Sequence, residues 1–167
     1  NFIVLMGKPN GGARPIGLMP MLYRVWTKIR RPLIVAWETE LPGDWDAAIK
    51  GSSALRAALI TLIGDEIAIT NGEIVTAILY DMEKFYDNID IVKLLQMGTR
   101  HGYPTVLLAL GLQMHMAERG LKCYNTFPGC MLPSNGIIAG CTQSTTFAKI
   151  LLMDIMQTMY TSDTMQN

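Results

Sequence analysis

The chain has 167 residues, of which 50% are hydrophobic, and its 14 basic and 14 acidic side chains cancel. These values exclude a disordered tail and allow one sizeable core, so we expect one domain or part of one. The charge is uneven, because six basic residues and no acidic residue lie in the first 37 positions. Such asymmetry is expected where one region holds phosphate and another holds cations, or on a solvated surface with uneven charge.

Three cysteines without a Cys-x-x-Cys pair predict neither a disulfide framework nor a zinc knuckle. The long uncharged stretch from residue 127 to 148 is interrupted by proline, glycine and polar residues, which disfavours a membrane span. We therefore expect a soluble protein of a reducing, intracellular compartment. The absence of an initial methionine is interpreted as a sign that the chain is a fragment.

The first predicted elements form a hairpin. Residues 2–6, "FIVLM", are predicted to be a strand, and "PIGLM" its return after a turn rich in Gly, Pro and Asn. Lys8 and Arg14 lie near the tip of this hairpin.

An amphipathic helix with a basic side is predicted next, from residue 22 to 29. Its apolar residues recur at helical spacing, while Arg24, Lys28 and Arg31 share another face. A basic face of this kind is typical of a nucleic-acid interface, and also of an ordinary solvated surface.

The middle of the chain is predicted to contain a helix and a strand. Ser52 or Ser53 is expected to cap the helix, and "NG" at 71–72 to turn the chain. The run "EIVTAILY", residues 73–80, is apolar and partly β-branched, which predicts a strand buried on both faces. The predicted apolar stripe of the helix comprises Ala54, Leu55, Ala58, Leu59 and Leu62.

The remainder is predicted to be mostly helical. Asp87 or Asn88 is expected to cap a helix that ends near Met97. The segments that follow are a "GYP" interruption at 102–104, a helix over 107–116, a hairpin or loop over 120–136 and an apolar helix over 145–159. Helices interleaved with a few strands predict an α+β domain.

Asp81 is the strongest candidate for a functional residue. It directly follows the predicted strand, where side chains emerge toward a crevice. A half-buried carboxylate needs a compensating positive charge, and Mg²⁺ bound to a phosphorylated ligand would supply one. Asp87 and Asp90 flank a helix start, which favours a capping role for them.

The stretch "YDMEKFYDNID", residues 80–90, resembles the first catalytic block in the palm of reverse transcriptases. The resemblance implies that the Asp81 carboxylate and the Met82 backbone carbonyl bind two Mg²⁺ ions, with Mn²⁺ as an alternative. It also implies that the Tyr86 ring excludes the 2′-hydroxyl of a ribonucleotide.

Further blocks follow in the order of that family, which makes the resemblance specific. "GKPNGGARPIGLMPMLYRVWTKIRR" is similar to the fingers of non-LTR retroelement and group II intron enzymes, which implies that Lys8 and Arg14 grip the incoming triphosphate. "KGSSALRAAL" resembles the stretch before the first palm strand, and "HGYP" resembles the link between palm helices. "NGIIAGCTQSTTFAKILL" resembles the second palm block, which implies that Gly140 supports the templating base. Template and primer contacts are further assigned to Arg24, Lys28 and Arg31.

Two departures from the family pattern stand out. The second block usually reads Gln-Gly-Cys-Pro-Leu-Ser-Pro, whereas residues 139–145 read "AGCTQST". No Tyr/Phe-x-Asp-Asp sequence is present, and Asp154 has no neighbouring acid that would make it a substitute. We therefore expect this chain alone to be inactive in polymerisation.

Taken together, the resemblance implies a partial right-hand polymerase fold in one incomplete domain, with residues 1–72 fingers-like and 73–167 palm-like. The implied activity is RNA-directed DNA synthesis on an RNA template and a DNA primer from deoxynucleoside triphosphates. The implied location is the nucleus for a eukaryotic retroelement and otherwise the cytoplasm. Two alternatives remain open: an RNA-dependent RNA polymerase with the same palm, and an inactive or domesticated nucleic-acid-binding remnant.

Overall fold

The computed structural model describes residues 1–9, 11–41, 46, 53–79, 81–123 and 125–164. The described part is mixed α/β, which is compatible with the predicted α+β class. The strands are β1 (Phe2–Gly7), β2 (Ala13–Leu18), β3 (Arg119–Cys123) and β4 (Thr126–Met131). The helices are α1 (Met21–Glu40), α2 (Ala54–Thr70), α3 (Ile91–Arg100), α4 (Thr105–Met116) and α5 (Ser144–Thr164), with a 3₁₀ turn at Phe85–Asn88. None of the described helices has the length and apolar content that crossing a membrane requires.

The four strands form one sheet in the order β2-β1-β3-β4. The predicted amino-terminal hairpin is confirmed: β1 and β2 pair antiparallel, with Met6 opposite Arg14. β3 and β4 form the second hairpin, and β3 pairs parallel with β1. Gly11 and Gly12 in the first turn both have φ +84, a backbone conformation that glycine adopts without strain.

The chain divides into two compact units. The first comprises Asn1–Leu41 and Lys84–Ile155, and the second comprises Pro42–Glu83 and Met156–Asn167. The assignment of residues 1–72 to fingers and 73–167 to palm remains a prediction.

The hydrophobic core described by the structure lies in the first unit. Helices α3 and α4 pack closely because Gly98 faces Leu108, whose Cδ1 would lie 2.9 Å from a Cβ on the glycine. Gly111 likewise admits the Phe147 ring of α5. The core includes Ile34, Trp37, Leu94, Tyr103, Leu107, Leu108, Leu112, Ile137, Ile138, Phe147 and Ile150. Helices α1, α3, α4 and α5 thus share one interior.

The predicted strand at 73–80 is wrong for the residues that the structure describes. Residues 73–79 have no strand pairing, and Ile74 and Leu79 are each 96% exposed. Residue 80 lies outside the described residues. β-branched composition favours a strand only when a neighbouring strand accepts and donates its backbone hydrogen bonds, and no described strand does so here.

Helix α2 of the second unit begins where predicted, because Ser53 Oγ accepts a hydrogen bond from Arg56 N at 3.1 Å. Ser52 lies outside the described residues. The predicted apolar stripe on this helix is not buried: no described side chain of α2 is buried, and Leu55 is 80% exposed.

The predicted start of α3 is also wrong. Neither Asp87 nor Asn88 caps this helix, because both belong to the 3₁₀ turn. The cap is Asp90, whose Oδ1 accepts hydrogen bonds from Val92 N at 2.7 Å and Lys93 N at 3.1 Å. The "GYP" interruption and the helices on either side of it are confirmed.

Candidate functional site

A groove with a mostly apolar lining and three basic side chains runs along α1 in the first unit. Arg24, Lys28 and Arg31 lie four and three residues apart, so their side chains share one helix face. The groove has a volume of about 630 Å³. Its lining comprises Met21, Arg24, Val25, Thr27, Lys28, Arg31, Ile34, Thr142 and Thr145. The three predicted template or primer residues therefore lie on one surface with residues that follow the Gly140 turn.

One of the three positive charges is partly neutralised within the protein. Arg31 Nη2 lies 3.6 Å from Glu38 Oε2, and the Glu38 side chain is only 16% exposed. Glu38 Oε1 also accepts a hydrogen bond from Thr146 Oγ1 at 2.8 Å. Arg24 and Lys28 therefore carry more of the charge that the groove offers to a ligand.

The Gly140 turn is held against β2 by close packing. A Cβ atom on Gly17 would lie 1.8 Å from Ile138 Cγ2, so only glycine allows this approach. Ser144 Oγ donates to Ile138 O at 2.7 Å and closes the turn at the start of α5. Gly140 itself has φ +93, which a residue with a Cβ rarely adopts. The turn thereby directs Thr142 and Thr145 to the groove.

Two threonine hydroxyls connect the turn to α1. Thr142 Oγ1 donates to Thr27 Oγ1 at 2.8 Å, and Thr27 Oγ1 donates to the Arg24 carbonyl at 3.0 Å. Thr27 is only 1% exposed, whereas Thr142 is exposed. The hydroxyl of Thr142 therefore has a fixed position at the rim of the groove.

A buried polar network lies beneath this surface. Gln143 is fully buried, accepts a hydrogen bond from Tyr103 OH at 2.9 Å, and donates one to Tyr23 OH at 3.0 Å. Tyr23 OH also contacts Cys141 Sγ at 3.6 Å. Burial raises the pKa of both phenols, so both hydroxyls remain protonated near pH 7. Polar residues within an apolar segment are the only sign of this network in the sequence.

The hydrogen bonds around Gln143 involve residues at which this chain departs from the pattern of the resembled second block. Thr142 and Gln143 stand where Pro and Leu are usual in the resembled block, and each of them makes a hydrogen bond inside the protein, as does the neighbouring Ser144. These residues therefore stabilise the turn of this chain.

His115 of α4 fixes the same turn from the other side. Its Nδ1 accepts a hydrogen bond from Ile138 N at 2.9 Å, and its ring packs edge-on against Phe147. Burial, and to a smaller extent the neighbouring Arg119 charge, lower the pKa of His115 to about 4. The imidazole is therefore neutral near pH 7.

Tyr86 lies next to the segment that leads to Gly140. The Tyr86 carbonyl accepts a hydrogen bond from Ile137 N at 2.8 Å. Its ring is half-buried and packs edge-on against Phe85, with 5.6 Å between ring centroids. The structure thus brings the predicted gate residue beside the second block, within one unit.

Lys8 and Arg14 lie on the first hairpin, as predicted. Lys8 begins the turn, where its N–H donates to Gly12 O at 3.1 Å, and its side chain is exposed. The Arg14 side chain lies outside what the structure describes. A joint grip of these two residues on a triphosphate remains a prediction.

Asp81 and Met82 belong to the second unit, whereas Lys8, Arg14 and Gly140 belong to the first. Both Asp81 and Met82 are exposed and lie in irregular backbone. Within the described ranges, no three His, Cys, Asp or Glu side chains come together as metal ligands. One carboxylate and one carbonyl do not suffice for a pair of catalytic ions, so Mg²⁺ or Mn²⁺ binding remains a prediction.

Asp154 of α5 contacts two basic side chains at the end of α3. Its carboxylate pairs with Arg100 Nη1 at 2.8 Å and with His101 Nε2 at 3.0 Å. These contacts tie α5 to the carboxyl end of α3.

The described residues form a mixed α/β fold, and Arg24, Lys28 and Arg31 line one groove of it. No protein-family model matches the chain, and no curated protein matches it. Any functional assignment therefore depends on the residues and geometry described above.

Proposed function

We propose that this chain binds nucleic acid in the α1 groove, as the fingers and part of the palm of an RNA-directed DNA polymerase. The observation that carries the proposal is the joining of Arg24, Lys28 and Arg31 with residues 142 and 145 in one groove. The order of the sequence blocks supports the polymerase class.

The spacing of the three basic residues suits a phosphate backbone. Arg24 and Arg31 are seven residues apart, so the row of charges is about 10 Å long at ~1.5 Å per helical residue. Successive phosphates of one DNA strand advance about 3.4 Å along a duplex axis, so a row of this length spans about three phosphate steps. Cations that neutralise phosphates release counterions, which supplies affinity for any sequence.

In the complete polymerase, a primer 3′-hydroxyl would attack the α-phosphate of a deoxynucleotide in line. Lys8 and Arg14 would neutralise the triphosphate, and the Tyr86 ring would exclude a 2′-hydroxyl. Asp81 and the Met82 carbonyl would contribute ligands to Mg²⁺, which stabilises the developing charge when bound. The second unit contains only part of such a ligand set among the described residues, so binding rather than chemistry is the function proposed for this chain alone.

A non-catalytic nucleic-acid-binding protein is the second candidate. One contrast favours it. The described residues include all the basic side chains proposed to line the groove, but they include no group of three side chains that could hold a metal ion. Primer extension on an RNA template by the longest natural polypeptide that contains this chain separates the two candidates. Extension supports the polymerase, and salt-dependent RNA binding without extension supports the second candidate.

The binding proposal is tested by charge reversal on two faces of α1. Lys28→Glu places a negative charge in the groove, whereas Arg30→Glu makes the same change at an exposed residue outside its lining. We expect Lys28→Glu to weaken binding of a fluorescent 12-nucleotide RNA by at least about tenfold, and Arg30→Glu to change it about twofold or less. Equal losses in the two variants, or no binding by the unaltered chain, would contradict the proposal.

A further inference from the structure

The hydrogen-bond chain at the rim of the groove has a fixed direction. The Arg24 carbonyl accepts only, so the hydroxyl hydrogen of Thr27 must point to it. Thr27 therefore has no hydrogen left for Thr142, and the Thr142 hydroxyl must be the donor in the 2.8 Å contact between them. The single hydroxyl hydrogen of Thr142 is thereby committed to the interior.

Thr142 consequently offers only lone pairs to the groove. A hydroxyl with a free hydrogen would bind a phosphate oxygen, but this one cannot donate to a phosphate. A ligand that binds the Thr142 hydroxyl must therefore supply a hydrogen-bond donor. Arg24 and Lys28 line the same groove and would bind phosphates, so this donor must lie close to the phosphates of the ligand.

RNA has such a donor in its backbone and DNA does not. The ribose 2′-hydroxyl lies between successive phosphates and is both donor and acceptor. We propose, on the basis of the function proposed above, that Thr142 Oγ1 accepts a hydrogen bond from a ribose 2′-hydroxyl and that the groove thereby prefers RNA to DNA.

The size of the preference follows from one hydrogen bond. A single net hydrogen bond contributes about 0.5–1.5 kcal/mol, which corresponds to a preference of roughly 2- to 13-fold. Thr145 lines the same groove outside this chain of hydroxyls, so its removal affects RNA and DNA alike.

The test compares three 12-nucleotide single strands of one sequence: RNA, DNA and 2′-fluoro RNA. The 2′-fluoro strand keeps a ribose-like sugar shape and lacks the donor hydrogen. The unaltered chain should bind RNA roughly 2- to 13-fold more tightly than DNA, and 2′-fluoro RNA as weakly as DNA. Binding of 2′-fluoro RNA as tight as that of RNA would overturn the proposal, because the preference would then come from sugar shape.

Variants at the rim complete the test. Thr142→Val keeps the side-chain shape, and it should lower the ratio of RNA affinity to DNA affinity to about one. Thr142→Ser should retain the preference, and Thr145→Val is the matched control that should also retain it. Thermal unfolding followed by circular dichroism verifies that each variant is folded.

The failure of this inference is distinct from the failure of the proposed function. If RNA and DNA bind equally and Lys28→Glu weakens both, the groove binds nucleic acid and the role of Thr142 is wrong. If Thr142→Val keeps the full preference for RNA, the role of Thr142 is again wrong. If neither strand binds, both the inference and the proposed function are wrong.

Discussion

Gly136 lies directly against the backbone of Asp87, so that a Cβ atom on the glycine would lie 2.6 Å from the Asp87 carbonyl oxygen. The Gly136 N–H donates to Ile89 O at 2.9 Å, and the next N–H donates to Tyr86 O. The 3₁₀ turn is thus attached to the segment before Gly140 through backbone hydrogen bonds. These hydrogen bonds fix the position of the Tyr86 backbone relative to the segment before Gly140.

Gly136→Ala should destabilise the protein strongly. Gly136 has φ +82 and no space for a methyl group. Backbone strain and steric overlap together should therefore lower the free energy of unfolding by about 2–5 kcal/mol. Gly102→Ala is the matched control, because Gly102 has φ +66 but open space around its Cα. It should cost only the strain of about 1–2 kcal/mol. Urea denaturation measures both values, and equal losses would show that the contact with Asp87 is unimportant.

Gln143→Leu should also be costly, although it places an apolar residue in the core. It leaves the buried hydroxyl of Tyr103 without its amide partner, at a cost of about 1–3 kcal/mol, whereas the Tyr23 hydroxyl loses one contact and keeps Cys141 Sγ. Gln113→Leu on the exposed face of α4 is the control and should be nearly neutral. Adding Tyr103→Phe to Gln143→Leu should recover part of the loss. No recovery in this double variant would mean that the loss comes from packing.

Stability should depend on pH through His115. Its pKa is about 4 in the folded protein and about 6.5 when unfolded, so the unfolded state binds the proton first as the pH falls. The contribution of His115 to the free energy of unfolding should therefore be constant above pH 6.5 and should fall by about 3 kcal/mol between pH 6.5 and 4. His115→Leu should lack this component of the pH dependence. Parallel stability curves for the two proteins over that range would contradict the assignment.

Tyr86→Ala should relax discrimination against ribonucleotides in a polymerase that contains this chain. The ring is expected to fill the space that a 2′-hydroxyl needs, so Tyr86→Phe should keep the discrimination. The measurement is the ratio of kcat/KM for a deoxynucleotide and its ribonucleotide in primer extension. An unchanged ratio in Tyr86→Ala removes this role, and a ribonucleotide preference in the unaltered enzyme favours the RNA-dependent RNA polymerase.

Elements with local signals could be predicted from the sequence. The first hairpin depends on a Gly-rich turn between two apolar runs, and α4, α5 and the first half of α1 depend on apolar residues within one segment. The second half of α1 was not predicted, because Pro32 lies inside the helix. The basic face of α1 could be predicted for the same reason, because Arg24, Lys28 and Arg31 are close along one helix.

Features that depend on distant partners could not be predicted. The run at 73–79 has strand composition, but strand formation also requires a partner that composition does not reveal. The cap of α3 was misplaced because Asp87, Asn88 and Asp90 have similar capping preferences, and the 3₁₀ turn decides between them. The hydroxyl chain from Thr142 to Arg24 joins residues that are more than 100 positions apart, and no local pattern indicates it.

The salt dependence of RNA binding tests the central claim most directly. Each phosphate contact in a single strand contributes about 0.7 to the slope of log K against log salt, so two to three contacts predict a slope of about −1.4 to −2.1. Lys28→Gln should reduce the magnitude of the slope by about 0.7, and Arg30→Gln should leave it unchanged. A slope near zero, or the same reduction in both variants, would contradict a phosphate-binding groove on α1.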